Sequence, residues 1–559
     1  MKPITKAFAA LGTLSIVCAS FVVGAFALPA NAATIAVTNF ATLDSAISTA
    51  NATPGADTIT LSGNSADYVF SANLTAITSE IHFVGPGSAS LELDAANFSA
   101  FSFNTAAVGS ISGLSIKDAS DDCILNTATD LTLTDVNTHD CGGMGVYSTS
   151  GSVSVSNSQS NSNYNFGYFL KAGAGDNLSV DGVVANDNTS GIGLQTTATG
   201  STVSATNITL NNDPFFAMTV VSLGPTATLS NISSQGGPVV FSASAGTLNA
   251  SNVTVSGSSG DGLRLIMTGG ATAQIDQLNS HNNGIGINSQ SKDSGTTITV
   301  SNSTVSNNQS QGIASYSQDT ANFKVDHSTI YGNLNGGIVA QLTESSTIQI
   351  EDSTISGNNT KPGIAGSGIY FFGNSDASNS VKDATITKND SLSTAHAVAI
   401  EDVATDINNS IIGGNNAPDD LWASGGTNLS VDYSLVENPN SVAEVTNALS
   451  TGAGNLTGLD PKLGPLANNG GTTLTYLPLS GSPVIDAGDP SRTPGTALDQ
   501  RGKTRVYGAH IDMGAVEVQP ELASTGSDPR IPLIMTLALV LAGVGLLGVK
   551  KALRNRQPS

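Results

Sequence analysis

The segment Asp118-Ala-Ser-Asp121-Asp122-Cys123-Ile124 places three carboxylates ahead of a cysteine, and Cys141-Gly-Gly-Met144-Gly145 follows roughly one repeat later. Paired carboxylates are the groups that glycosidic-bond hydrolysis requires, one as acid and one as base or nucleophile. Asp121 and Asp122 are the catalytic candidates on that ground. Asp118, Lys171, Tyr147 and Tyr168, with Tyr164 beside them, offer the charged groups and ring faces that suit a sugar. Asp121, Asp122 and Asp140 carry enough charge for Ca²⁺. No Arg stands out among the neighbouring repeats, so Ca²⁺ has no further support, no metal site is assigned and no cofactor is expected. Zinc spacings, a phosphate loop and a nucleophile elbow are absent from the sequence.

These residues sit in a repeating frame. Ser303-Thr304-Val305, Ser328-Thr329-Ile330 and Ser353-Thr354-Ile355 step evenly, and Asn308, Asn333 and Asn358 follow at one offset. Self-similarity at such a period marks a solenoid. The position before each Ser extends into a column: Gly113, Asp135, Asn157, Asp181, Asn207, Asn231, Asn252, Asp276, Asn302, His327, Asp352, Asp383 and Asn409. Alternating runs such as Val153-Ser-Val155-Ser and Ile298-Thr-Val300-Ser flank it, which is strand periodicity. No helical stripe of useful length separates them. The reading is an all-β fold, a right-handed parallel β-helix. Rungs about 4.8 Å apart would make a rod on the order of 60–80 Å long. The Asx column closes turns and stacks side-chain amides, a structural role. Leu43, Ala46, Ile47 and Ala50 recur at helical spacing, with Thr42 as the expected N-cap and Pro54-Gly55 as a stop. This predicts a short helix capping the first rung.

Charged residues make up 11% of the chain and the net charge is −23. That balance excludes nucleic acid as a partner. Lys2 and Lys6, the apolar stretch Leu11 to Phe26, and Ala30-Asn31-Ala32 read as a secretory leader. Near the other end, Leu522-Ala523-Ser524-Thr525-Gly526 precedes an apolar run at 531–549 and then Lys550, Lys551, Arg554 and Arg556. The run is long enough to span a bilayer once, with its basic tail on the cytoplasmic side. Pentapeptide, span and basic tail in that order resemble a sortase sorting signal of the Leu-Ala-x-Thr-Gly type. The resemblance implies sortase and the cell envelope as partners, cutting between Thr525 and Gly526, and an extracellular, wall-anchored product.

A second resemblance covers the stretch from Gly464 to Glu517. Asn468-Asn469-Gly470-Gly471, Ser482-Pro483-Val484-Ile485-Asp486-Ala487-Gly488, Asp499-Gln500-Arg501-Gly502 and Asp512-Met513-Gly514-Ala515-Val516-Glu517 resemble the C-terminal block of bacterial surface β-helix proteins of the choice-of-anchor type. Asp486, Asp499, Arg501, Arg505, Asp512 and Glu517 form a dense charge cluster there, expected to be an ion-paired plug closing the last rung. The chain divides accordingly into leader 1–32, N-terminal cap and first rungs 33–112, β-helix repeats 113–415, final rungs and capping block 416–517, linker with sorting motif 518–530, transmembrane helix 531–549 and basic tail 550–559.

The early carboxylate segment resembles the polygalacturonase pattern of glycoside hydrolases within the pectate-lyase-like β-helices. That resemblance implies a disulfide between Cys123 and Cys141 and a polysaccharide substrate. The pattern's reactive His position holds Met144, its Asn-Thr-Asp reads Asn104-Thr105-Ala106, and its Arg-Ile-Lys reads Phe169-Leu170-Lys171. Three elements lack the reactive residue. The expected function is therefore a wall-anchored, non-enzymatic surface rod that presents a polar face to polysaccharide, host or neighbouring cells. The alternative is a wall-tethered polysaccharide hydrolase or lyase.

Overall fold

The computed structural model describes residues 32–519, apart from 105–107, 128–129, 199, 225, 361–363, 375, 377–378, 392–394, 425–426 and 493–496. One turn of the chain illustrates all of them. Thr297–Ser301 runs as a strand, Asn302 bends, Thr304–Ser306 continues, and Ile313–Ser317 returns on another face. Each segment pairs in parallel with its copy on the next rung: Ile298 with Phe323 and then Ile348, Val305 with Ile330 and then Ile355, Ile313 with Ile338. The stack is an all-β, right-handed parallel β-helix of about 16 turns. Among the described residues it comprises a long sheet of 27 strands and a short sheet of 14.

Alternation accounts for the core. Ile298, Val300, Val305 and Ile313 point inward and are buried, as are their counterparts up and down the rod. Burying each such side chain contributes about 1.5–3 kcal/mol toward the backbone entropy of ordering its rung.

The Asx column has a conformational cause. Asn207, Asn231, Asn252, Asn302, His327, Asp352, Asp383 and Asn409 all adopt left-handed backbone, with φ between 43° and 55°. Asn and Asp tolerate that region better than other residues with a Cβ. In two rungs the bend falls one residue later, at Gly182 and Gln277. The side chains also stack: Asn231 Nδ2 donates to Asn207 Oδ1 at 3.0 Å and Asn252 Nδ2 to Asn231 Oδ1 at 2.8 Å. A second ladder lies inside. Asn308, Asn333, Asn358 and Asn389 are buried, and each donates from Nδ2 to the amide oxygen on the next rung at 2.9–3.0 Å. Buried amides satisfied in this way rigidify the turn instead of destabilising it.

Both ends of the rod carry a helix. Helix α1, Phe40–Ala52, buries Leu43, Ala46, Ile47 and Ala50. Its N-cap is Asn39 rather than the expected Thr42. Asn39 Oδ1 accepts from the Thr42 amide at 3.0 Å, and Thr42 Oγ1 accepts from the Asn39 amide at 3.2 Å, a capping box. Helix α2, Ala443–Thr451, buries Val445 and Ala448 against the final rungs.

The C-terminal block does not plug the end of the rod. It runs back along the flank of the long sheet. Thr473 Oγ1 donates to the His327 carbonyl, Gln500 meets Ser328, Thr329 and Thr354, and the Ala515 amide donates to Thr385 Oγ1. Arg492 and Arg505 find Asp383 and Asp352 on the rod's side rather than a missing next rung, while Arg501 pairs with Asp499 inside the block.

The expected localisation, outside the cell and anchored through one membrane crossing, is corrected on the described residues: none of their helices is long and apolar enough to cross a membrane. The leader 1–32 except its last residue, the pentapeptide 522–526 and the run 531–549 lie outside the described residues.

Candidate functional site

The early rungs scatter the predicted residues into three environments. Asp118 occupies a left-handed bend (φ 53°), and its carboxylate lies 3.3 Å from Lys117 Nζ. Lys117 also approaches Glu92 at 3.6 Å and Asp94 at 3.5 Å. The hydrogen bond to Asp118 is the main reason its ammonium is held above the usual lysine range. Beside it, His139 bridges Asp140 at 2.7 Å and Glu92 at 3.1 Å. Half-exposed ion pairs of this kind contribute little stability. The group is engaged with itself.

Asp121 is exposed and Asp122 half-buried. Asp122 Oδ1 accepts from the Met144 amide at 2.7 Å. Burial pushes the Asp122 carboxyl up, the Met144 amide pulls it down, and Asp121 adds a small upward contribution. Both carboxylates crowd Gly143, where a Cβ would lie 2.5 Å from Asp121 Oδ1 and 2.6 Å from Asp122 Oδ1. They converge on one turn and do not face each other across a space for a glycosidic bond. Cys123 and Cys141 are disulfide-bonded just behind, with Cα atoms 5.8 Å apart. Lys171 is elsewhere. Ile124, Val146 and Tyr168 share a register, so Lys171 lies five residues further along the strands than Asp122, about 17 Å at 3.3 Å per residue.

Tyr168 is corrected. Its side chain is 1% exposed, inside the rod, and its hydroxyl has no hydrogen-bond partner. Burial drives its phenol well above the usual range. Strict alternation is broken at Gly167: Phe166 points out, Gly167 and Tyr168 point in, and Phe169 and Lys171 point out.

The outward residues build a surface of aromatic rings. Tyr147 and Phe169 are register partners with ring centroids 5.9 Å apart, and Phe166 lies 5.1 Å from Phe169. Phe169 is opposite Gly193 on the next rung. A Cβ at Gly193 would meet Phe169 Cδ2 at 2.6 Å and Phe166 Cε1 at 3.2 Å, so both rings lie across that strand. Only glycine permits so close an approach. Phe216 follows Phe166 two rungs on and packs edge-on to Phe215, with centroids 4.6 Å apart. Phe215 is 65% exposed and Tyr164 80%. The result is an aromatic platform of tilted and edge-on rings along the short sheet. Asp121 and Asp122 lie at its near edge, and Lys171 with its register partner Gln195 lies at the far end of the strands. Phe166, Phe169, Phe215 and Phe216 were missed. Their signal was local density, Asn-Phe-Gly-Tyr-Phe and Pro-Phe-Phe, in a chain with only 5% aromatic residues.

A second polar region lies between the rod and the C-terminal block. Lys324 pairs with Glu351 at 2.8 Å, His327 with Asp326 at 2.9 Å, and Arg492 with Asp383 at 2.9 Å. Asp326, His327 and Asp352 bring three ligand-type atoms within 4.8 Å of one another. The Asp326 hydrogen bond holds the His327 imidazole above its ordinary pKa, and Arg505 occupies Asp352. Those lone pairs are already committed to protein cations, so the group reads as an ion-pair network that docks the block.

Residues 238–430 match the family model described as the right handed beta helix region. No curated protein matches the chain. Among solved structures, the A-module of an Azotobacter vinelandii mannuronan C-5 epimerase is 14% identical, with a TM-score of 0.33 over 72% of this chain and 95% of that one. Tailspike protein 3 of bacteriophage CBA120 is 11% identical, with a TM-score of 0.33 over 72% of this chain and 60% of the other. Pectate lyase Pel9A is 11% identical, with a TM-score of 0.20 over 88% and 98% of the two chains. These likenesses say nothing of what this chain binds. The chain is a right-handed parallel β-helix.

Proposed function

We propose that the protein is a non-catalytic glycan-binding rod whose primary contact surface is the aromatic platform on the short sheet. The carrying observation is the placement of the Phe166 and Phe169 rings across Gly193, with Tyr147 against Phe169 and the exposed rings of Tyr164 and Phe215 in the turns that precede neighbouring strands. Aromatic faces pack on the C–H faces of sugar rings, and solvent-exposed rings otherwise cost free energy without return. A net charge of −23 repels polyuronates and favours an uncharged glycan.

Hydrolysis is disfavoured by the same geometry. Asp122 is tied to the Met144 amide, and Asp121 lies beside it rather than across a cleft. The direct test is isothermal titration of the purified chain against neutral and acidic polysaccharides, with reducing-end release assayed in parallel. Binding to neutral glycans with no release of ends supports the proposal. Release of ends that an Asp121→Asn/Asp122→Asn variant abolishes would replace it with the hydrolase.

A further inference from the structure

The column of hydroxyls that docks the C-terminal block does not stop where the block does. Asn279, Thr304, Thr329 and Thr354 are successive register partners, with Thr385 next. Thr329 donates to the Leu474 carbonyl, Thr354 to Gln500 Oε1, and Thr385 accepts from the Ala515 amide. Thr304 and Asn279 come one and two rungs earlier, where the block lifts away. A groove of about 630 Å³ opens there between the rod and the block loop at 468–474. It is lined by Gln277, Asn279, Thr304, Asn307, Tyr331 and Asn468, among others. Among the described residues, no side-chain hydrogen bond engages Gln277, Asn279, Thr304 or the Tyr331 hydroxyl.

We infer that this groove is a second, separate saccharide site, for a short segment of an uncharged glycan. The lining contains no Asp, Glu, Lys or Arg, and its one titratable imidazole, His281, is hydrogen-bonded to Asn282 at 3.0 Å. Amides and hydroxyls both donate and accept, as sugar hydroxyls do. Tyr331 adds one ring to stack on. Concavity supplies the burial that a flat solenoid face lacks. The groove begins several rungs beyond the platform and on the other sheet, so the two surfaces face different directions. A chain that carries both would bridge two glycan strands. The inference takes its class of ligand from the glycan-binding reading and extends it to a new surface.

The test uses the whole chain and three probes: cellohexaose, chitohexaose and maltohexaose. Titration of the unaltered protein should give two sites per chain for at least one probe. Asn279→Ala/Thr304→Val should remove one of them, weakening it at least tenfold, and Phe169→Ala should remove the other. A Thr304→Cys variant carrying an environment-sensitive dye should respond to the same probe, which reports the groove even where the double variant folds poorly. One site per chain, lost with Phe169→Ala and indifferent to the groove variants, overturns this inference and leaves the platform reading standing. No site at either surface overturns both. A dye response to a neutral hexapeptide but to none of the saccharides would make the groove a peptide site and overturn the inference as well.

Discussion

Arg505 Nε donates to Asp352 Oδ1 at 2.9 Å, joining positions 153 residues apart in the chain. Arg505 is 1% exposed, and Asp383 lies 3.8 Å from its Nη1. One buried guanidinium thus pins the C-terminal block to two successive rungs. Removing it strands the Asp352 carboxylate in a poorly solvated seam, while Asp383 keeps Arg492 and Asn409. Arg505→Ala should cost about 3–5 kcal/mol, the usual consequence of breaking a buried pair from one side. Faster hydrogen exchange confined to 464–518, with the rungs before Asn302 unchanged, would display the loss. Uniform loss across the rod would contradict this account of the strap.

Asp213 holds the inner-ladder position that Asn163 and Asn188 hold on the two preceding rungs. It accepts from the Asn188 amide at 2.8 Å, yet its Oδ2 is buried without a partner. Burial pushes it up to about 7 despite the Asn188 hydrogen bonds. The unfolded chain holds an ordinary Asp near 3.9. Between these values the native state keeps a proton that the unfolded state releases. The Asp213 contribution to stability should therefore be fully present below about pH 4, fall as pH rises to about 7, and level off above, by a total on the order of 4 kcal/mol. Asp213→Asn should make the slope shallower by that amount, leaving the share of Asp352, Asp420 and Glu517, which burial also raises, and should raise the denaturation midpoint at pH 8. The new amide takes the place that Asn188 and Asn283 fill by donating to the Ser160 and Val255 carbonyls. Urea melts from pH 4 to 9 on both proteins decide it.

Gly193 carries a prediction about binding rather than folding. Gly193→Leu forces a side chain into the space of the Phe169 and Phe166 rings. Glycan affinity should fall about tenfold, equivalent to ~1.4 kcal/mol and within the range of an aromatic contact. The thermal midpoint should change little, because the displaced rings are on the outer face. Equal losses from Gly193→Leu and from a substitution at exposed Thr228, on the long sheet, would argue against the platform.

The Cys123–Cys141 bond closes a loop with a sequence separation of 18. Cross-links of that span stabilise by about 3 kcal/mol. Cys123→Ala/Cys141→Ala should loosen the first rungs selectively, since each rung contacts mainly its neighbours. Limited proteolysis should then cut between 118 and 145 first. Unchanged protease resistance under reducing conditions would show that the bond contributes nothing there.

Much of the rod was legible because its rules are local. The Asx column was read as turn chemistry, and nearly every member adopts the left-handed bend that Asx side chains tolerate. Tyr168 was misread because its orientation depends on a break in alternation at Gly167 that no period-two pattern announces. Thr42 belongs to the cap, but as the reciprocal partner of Asn39. The charge cluster around Arg505 was visible, and its destination was not. Its partners Asp352 and Asp383 look like ordinary members of the turn column.

The amino-acid sequence by itself determined the solenoid, its approximate period, its inward apolar columns and the residues of its bends. Those properties follow from alternation and from which side chains tolerate left-handed backbone, and both act within one rung. Only the tertiary structure decided which rings share a face, that Asp121 and Asp122 converge on one turn, and that the C-terminal block lies along the flank. Each of those depends on rung-to-rung register or on contacts more than a hundred residues apart, where a one-residue offset moves a side chain from the core to the solvent.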